Sequence, residues 1–85
     1  MRVQGAVIRE QGITFAVVVV KPHVVHNHFE ANQAIQSFSP VFGHPVVLMA
    51  QDSRGTPTYY GRRDIADFMA NVPLRAIPWR EYTIN

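Results

Sequence analysis

The residues best suited to chemistry are histidines. His23, His26 and His28 form a His-x-x-His-x-His cluster, and His44 lies further on. Neutral imidazole is a good ligand for zinc, nickel or copper. Metal sites, however, usually draw their ligands from separated elements and orient each through an outer hydrogen-bond partner. The spacing is not His-Glu-x-x-His, and no helix sets two of these rings one turn apart. The cluster therefore reads as a polar connector whose imidazoles face water or cap a helix. A metal site at His23, His26 and His28 is the alternative, and no cofactor is expected.

A second group combines Arg54, Tyr59, Tyr60, Arg62 and Arg63. Guanidinium groups beside aromatic rings can pair phosphates and stack bases. Tyr59 and Tyr60 must point to opposite faces of a strand, so only one can join the Arg side. Arg62 and Arg63 fall at a helix start, where backbone N–H groups favour anions. The helix dipole disfavours cations there, and Asp64 and Asp67 lie close enough to pair with them. Arg54, Tyr59, Arg62 and Arg63 are the candidates for a nucleic-acid or phosphate-ligand surface.

The third group is terminal: Trp79, Arg80 and Tyr82. Trp, Tyr and Arg are enriched at binding hot spots. A terminal strand can also pair across a two-fold axis. With Tyr60 and Phe42, and Val41 beside the latter, these residues are the candidate protein interface. Trp79 has an equal claim to cover one end of the monomer core.

The six acids give no hydrolytic pair. Asp52 suits a turn, Glu30 a helix cap, and Asp64 and Asp67 a solvated helix face. An Asp52–His44 dyad would need two loops at opposite strand ends to meet. No Gly-x-Ser-x-Gly elbow, phosphate loop or dinucleotide fingerprint is present. A non-enzymatic protein is expected.

These groups must be positioned by a small framework. The chain has 85 residues, 47% hydrophobic and 16% charged, with a formal charge of +2. It is too apolar for a disordered tail and too short for two ordinary domains. One small globular domain over residues 1–85 is expected. Seven of the eight basic residues are Arg, which suits planar, partly desolvated contacts. An excess of two charges falls short of the basic stripe of a committed nucleic-acid binder. The absence of Cys excludes disulfides, zinc knuckles and thiol nucleophiles. The longest apolar run, 13–20, is far short of the roughly 20 residues that span a bilayer. Gln4, Arg9, Glu10 and Gln11 break any leader pattern. A cytoplasmic protein that does not engage membranes is expected.

Residues 3–8 and 13–20 read as strands joined by a polar turn ending in Gly12. The second is apolar on both faces, as a central strand covered on both sides would be. Asn27 and Glu30 form an Asn variant of the capping box at the start of a helix over 28–38. Ala31, Ala34, Ile35 and Phe38 make its apolar face, and Ser39-Pro40 is expected to stop it. Residues 46–51 read as a second central strand. Asp52 to Gly55 signals a turn, and 56–60 the return strand, held to an edge by Pro57. A second helix is expected over 62–72, with Ile65, Phe68, Met69 and Val72 inward, then a last short segment over 79–84. The order is β-β-α-β-β-α-(β). The fold class is α+β, a small mostly antiparallel sheet with two helices.

From Gly43 to Val72 the chain resembles the distal half of a thioredoxin-like domain. Pro45 precedes a buried strand, Asp52 to Gly55 make the hairpin, and Gly61 precedes a helix carrying Phe68. The resemblance covers about a third of the chain and implies a cis bond before Pro45. With no Cys-x-x-Cys, it implies no thiol redox activity. A chain this small buries only roughly 60–65% of its unfolded surface. Two strands that are apolar on both faces leave more apolar surface than two helices readily cover. The expected function is therefore self-association, most simply as a homodimer, or capture of a protein partner.

Overall fold

The computed structural model describes residues 1–10 and 12–84. The elements are β1 (Arg2–Glu10), β2 (Ile13–Val19), α1 (Pro22–Val25), α2 (His28–Phe42), β3 (Val46–Gln51), β4 (Pro57–Tyr60), α3 (Arg63–Met69), a 3-10 turn at Leu74–Ala76, and β5 (Arg80–Thr83). The five strands form one sheet in the order β4-β3-β2-β1-β5. β2 and β3 are parallel, and every other pair is antiparallel. The fold is α+β, as the pattern of elements predicts.

The doubly apolar strands are central for the expected reason. On β2, Phe15 and Val17 face α3, while Ala16 and Val18 face α1 and α2. On β3, Val47 and Met49 join the first set, and Val46, Leu48 and Ala50 the second. Val17, Val18, Val47 and Leu48 are fully buried. Two apolar layers thus share one sheet, and the crossover through α1 and α2 allows the parallel pairing.

Three details differ from expectation. The helix α2 does not stop at Ser39-Pro40; it runs on to Phe42 with Pro40 inside it. Pro40 forfeits one backbone bond, and Ser39 Oγ donates to the Ile35 carbonyl at 2.7 Å in the same turn. The stop is Gly43, whose positive φ of 70° makes a left-handed cap with its N–H donating to the Ser39 carbonyl, a conformation that Gly adopts freely. Second, Lys21-Pro22 ends β2 but also opens the short helix α1, because Pro fits the first helical position. Third, no cis peptide bond occurs among the described residues, so the bond before Pro45 is trans, unlike the thioredoxin-like expectation. Pro45 runs straight into the sheet, its carbonyl accepting from the Ala16 N–H at 2.9 Å.

The last segment is a strand. β5 pairs with the first half of β1, Arg2 opposite Thr83 and Gly5 opposite Arg80. No helix is long and apolar enough to cross a membrane among the described residues.

Candidate functional site

The helices leave one end of the sheet less covered. α1 and α2 pack mainly over β3, and α1 also reaches β4. On that face, β1 contributes Val3, Gly5 and Val7, since alternate residues share a face. Phe42, at the end of α2, reaches the Tyr82 ring of β5 edge-on, with centroids 5.1 Å apart. Edge-to-face contact suits the ring quadrupoles. Val7 is 40% exposed and Val41 50% exposed. The aromatic pair thus lies on the half of β1 that β5 covers, where Tyr82 is opposite Val3, while Val7 stands open on the half that β5 does not reach.

Of the predicted interface residues, the structure brings Phe42 and Tyr82 together. Arg80 shares the Tyr82 face by strand alternation. Tyr60 lies on β4 at the opposite edge, its hydroxyl 2.9 Å from His28 Nδ1 and 3.4 Å from Asn32 Oδ1. Trp79 packs on the other face of the sheet, against the α3 layer. Its indole N–H donates to the Leu74 carbonyl at 3.1 Å, and the ring borders a hollow of about 370 Å³ with Gln4, Met49, Gln51 and Arg75. Sequence reading missed Val7. On this face of β1, Val3 packs against the core and Gly5 is buried, and Val7 alone of the three is left open.

The Arg residues are spread out. Arg54 sits in the turn before β4, and Arg62 and Arg63 follow its far end. Arg62 Nε and Nη2 hold both oxygens of Asp64, at 2.9 and 2.8 Å. Their hydrogen bond and charge raise the pKa of Arg62 and lower that of Asp64. Both side chains are exposed, so solvent screens the pair and its effect on stability is slight. Tyr60, not Tyr59, shares a cavity of about 300 Å³ with Asn32, Ser39, Gly61 and Arg62.

Tyr59 faces the α3 layer, and its buried hydroxyl has no partner among the described residues. Burial raises its pKa above the ordinary 10.0. Desolvation disfavours the phenolate, so the unfolded chain ionises first. The contribution of Tyr59 is complete below the unfolded value and is lost as pH rises past it. Tyr59→Phe will leave stability at neutral pH unchanged or raise it by up to about 1 kcal/mol, since an unmet buried hydroxyl is removed. It will also blunt the alkaline loss, read as melting temperature against pH from neutral to 11. A clear drop in neutral stability would contradict the burial.

His23 and His28 are engaged singly, each with its own partner. His23 Nδ1 lies 2.9 Å from Glu30 Oε2, while the Glu30 N–H donates to Asn27 Oδ1 at 3.0 Å, which makes the Asn27 half of the capping box; the Asn27 N–H donates to the Val24 carbonyl instead of to Glu30. His28 meets Tyr60, and no group of three or more His, Asp or Glu is arranged to hold a metal among the described residues. Asp52 and His44 lie beyond opposite ends of β3. In comparison with known proteins, the chain matches no family model, no curated protein and no solved structure.

Proposed function

We propose that this protein works through contacts: it self-associates through the β1–β5 end of its sheet, and any heterologous protein partner uses the same surface. The observation that carries this reading is the open half of β1 beyond β5, where Val7 is 40% exposed on the same face of the sheet as the Phe42–Tyr82 pair. A small chain with a thin core gains from covering such an open strand segment with a second subunit. Phe42 and Tyr82 supply rigid apolar area, and Arg80 the polar rim. Scattered bases, with Arg62 held by Asp64, favour protein contact over a nucleic-acid groove.

Val7→Lys tests the surface. The side chain is already part-exposed, so melting of the dilute protein will shift by less than about 0.5 kcal/mol. A lysine left inside the contact will weaken association by about 2 kcal/mol or more, some thirtyfold or greater in dissociation constant. Sedimentation of both proteins across a concentration series reads this directly. Equal masses for the two proteins at every concentration would remove the surface from the account.

A further inference from the structure

The geometry points to the partner and its register: a second copy of this chain adds β1 to β1, antiparallel, with Val7 opposite the partner's Arg9 and Ile8 on the two-fold axis. This rests on the self-association just proposed and specifies how it is made. The outward-facing backbone groups of β1 set this register. Met1 and Ile84 exchange both bonds, the Met1 ammonium donating to the Ile84 carbonyl at 2.9 Å and the Ile84 N–H to the Met1 carbonyl at 2.7 Å. Antiparallel pairs alternate between bonded and non-bonded positions. The odd residues of β1 therefore direct their N–H and C=O toward β5, and the even ones toward β2. The β2–β3 pairing agrees. Ala16 and Val20 donate to Pro45 and Met49, so β2 turns its even residues to β3 and its odd ones to β1.

The strand β5 begins at Arg80, opposite Gly5. Beyond it, the N–H and C=O of Val7 and Arg9 face outward, with no backbone partner on that side among the described residues. Beneath this edge lies a groove of about 330 Å³, bordered by Ile8, Phe68, Val72, Ile77 and Pro78. An open strand edge over an apolar groove is the geometry of strand addition, where backbone bonds give affinity and alternate side chains fill pockets. The other edges are better guarded: β4 is short and starts with Pro57, and β5 is short and charged by Arg80 and Glu81.

Register follows by elimination, because outward pairs must meet outward pairs. Val7 opposite Val7 sets Arg9 against Gly5, whose outward groups Arg80 already uses. Arg9 opposite Arg9 places like charges face to face, which is unfavourable, and carries Val7 past the end of the partner's strand. Val7 opposite Arg9 satisfies both outward residues on both copies, making four backbone hydrogen bonds. It lays the aliphatic stem of Arg9 along the exposed Val7 of the partner. It also turns the two Ile8 side chains toward the grooves on the other face.

The chain has no Cys, so single cysteines report without interference. In Ile8→Cys the two sulfurs fall on the axis at a non-bonded pair, where Cβ separations of about 4.5–5.5 Å approach disulfide geometry. Under mild oxidation it will form a linked dimer about tenfold or more faster than Thr58→Cys, an exposed position on β4. Arg9→Cys linking faster than Ile8→Cys would overturn the register in favour of Arg9 on the axis. Since Ile8 is part-buried, the unmodified protein supplies the second measurement. Its Val7 and Arg9 amides will exchange about tenfold or more slowly in concentrated than in dilute solution. A doubled mass with no such slowing, and no preferential linking, would overturn edge pairing and leave self-association standing. A constant monomer mass would overturn both.

Discussion

Phe15→Ala will remove about 3–5 kcal/mol of stability, a large share of the roughly 4–13 kcal/mol that a chain of this length holds. Phe15 is 2% exposed at the middle of the α3-facing layer. Its ring meets Phe68 edge-on, with centroids 6.4 Å apart and planes at 81°. Truncation loses the burial of the ring and leaves a cavity that a five-stranded sheet cannot collapse around. Urea unfolding, followed by the fluorescence of Trp79 on the same layer, measures the loss. Phe29→Ala is the matched control: at 70% exposure its change will stay within about 0.5 kcal/mol. Comparable losses for the two would mean that Phe15 does not sit where the core requires it.

Gly5→Ala will destabilise by about 1–3 kcal/mol, although it adds only one methyl group. An alanine Cβ at this position would lie 2.6 Å from the Val17 carbonyl oxygen. That atom belongs to the backbone of a central strand and has no rotamer through which to move away. Either β1 shifts from β2 or β2 shifts from β3. Because β5 pairs with β1 at Gly5, its docking will loosen with it. Each kcal/mol corresponds to a melting shift of about 4–8 °C, and amide exchange on residues 80–83 will rise alongside. Unchanged melting would show that β1 and β2 approach less closely at Gly5.

These two positions mark how far the chain is legible before its structure is known. Phe15 belongs to a run, 13–20, whose lack of alternation announces a strand buried on both sides. The helix starting after Asn27 was equally readable, because an Asn cap and an apolar face at helical spacing are local signals. Pro40 misled for a local reason too. A proline lacks one donor and strains one turn, but Gly43, with its left-handed backbone, sets the end of α2. Gly5 carried no sequence signal, since the contact that leaves no room for a Cβ comes from Val17, twelve residues away. The parallel pairing of β2 with β3 and the seating of β5 on β1 are likewise long-range, and no local pattern encodes them.

The candidate surface was legible in part for the same reason. Phe42 and Tyr82 could be named from residue type, but their contact depends on α2 running past Pro40 and on β5 choosing the β1 edge. Tyr60 and Trp79 have the same chemistry and went elsewhere: one to the opposite edge beside His28, the other to the opposite face over Leu74. Val7 was the residue missed, because its exposure depends on where two helices lie, not on its neighbours in the chain. The Arg groups show the converse. Arg62 is adjacent in sequence to Arg63, yet its guanidinium is taken by Asp64 two residues on.

Coverage of the open half of β1 by a second subunit is tested most directly by the mass of the unmodified protein in solution. Sedimentation equilibrium across a concentration series will rise from the monomer mass of 9.6 kDa toward twice that value and stop there, as a closed two-fold contact requires. A mass that stays at 9.6 kDa up to the highest concentration reached would contradict it.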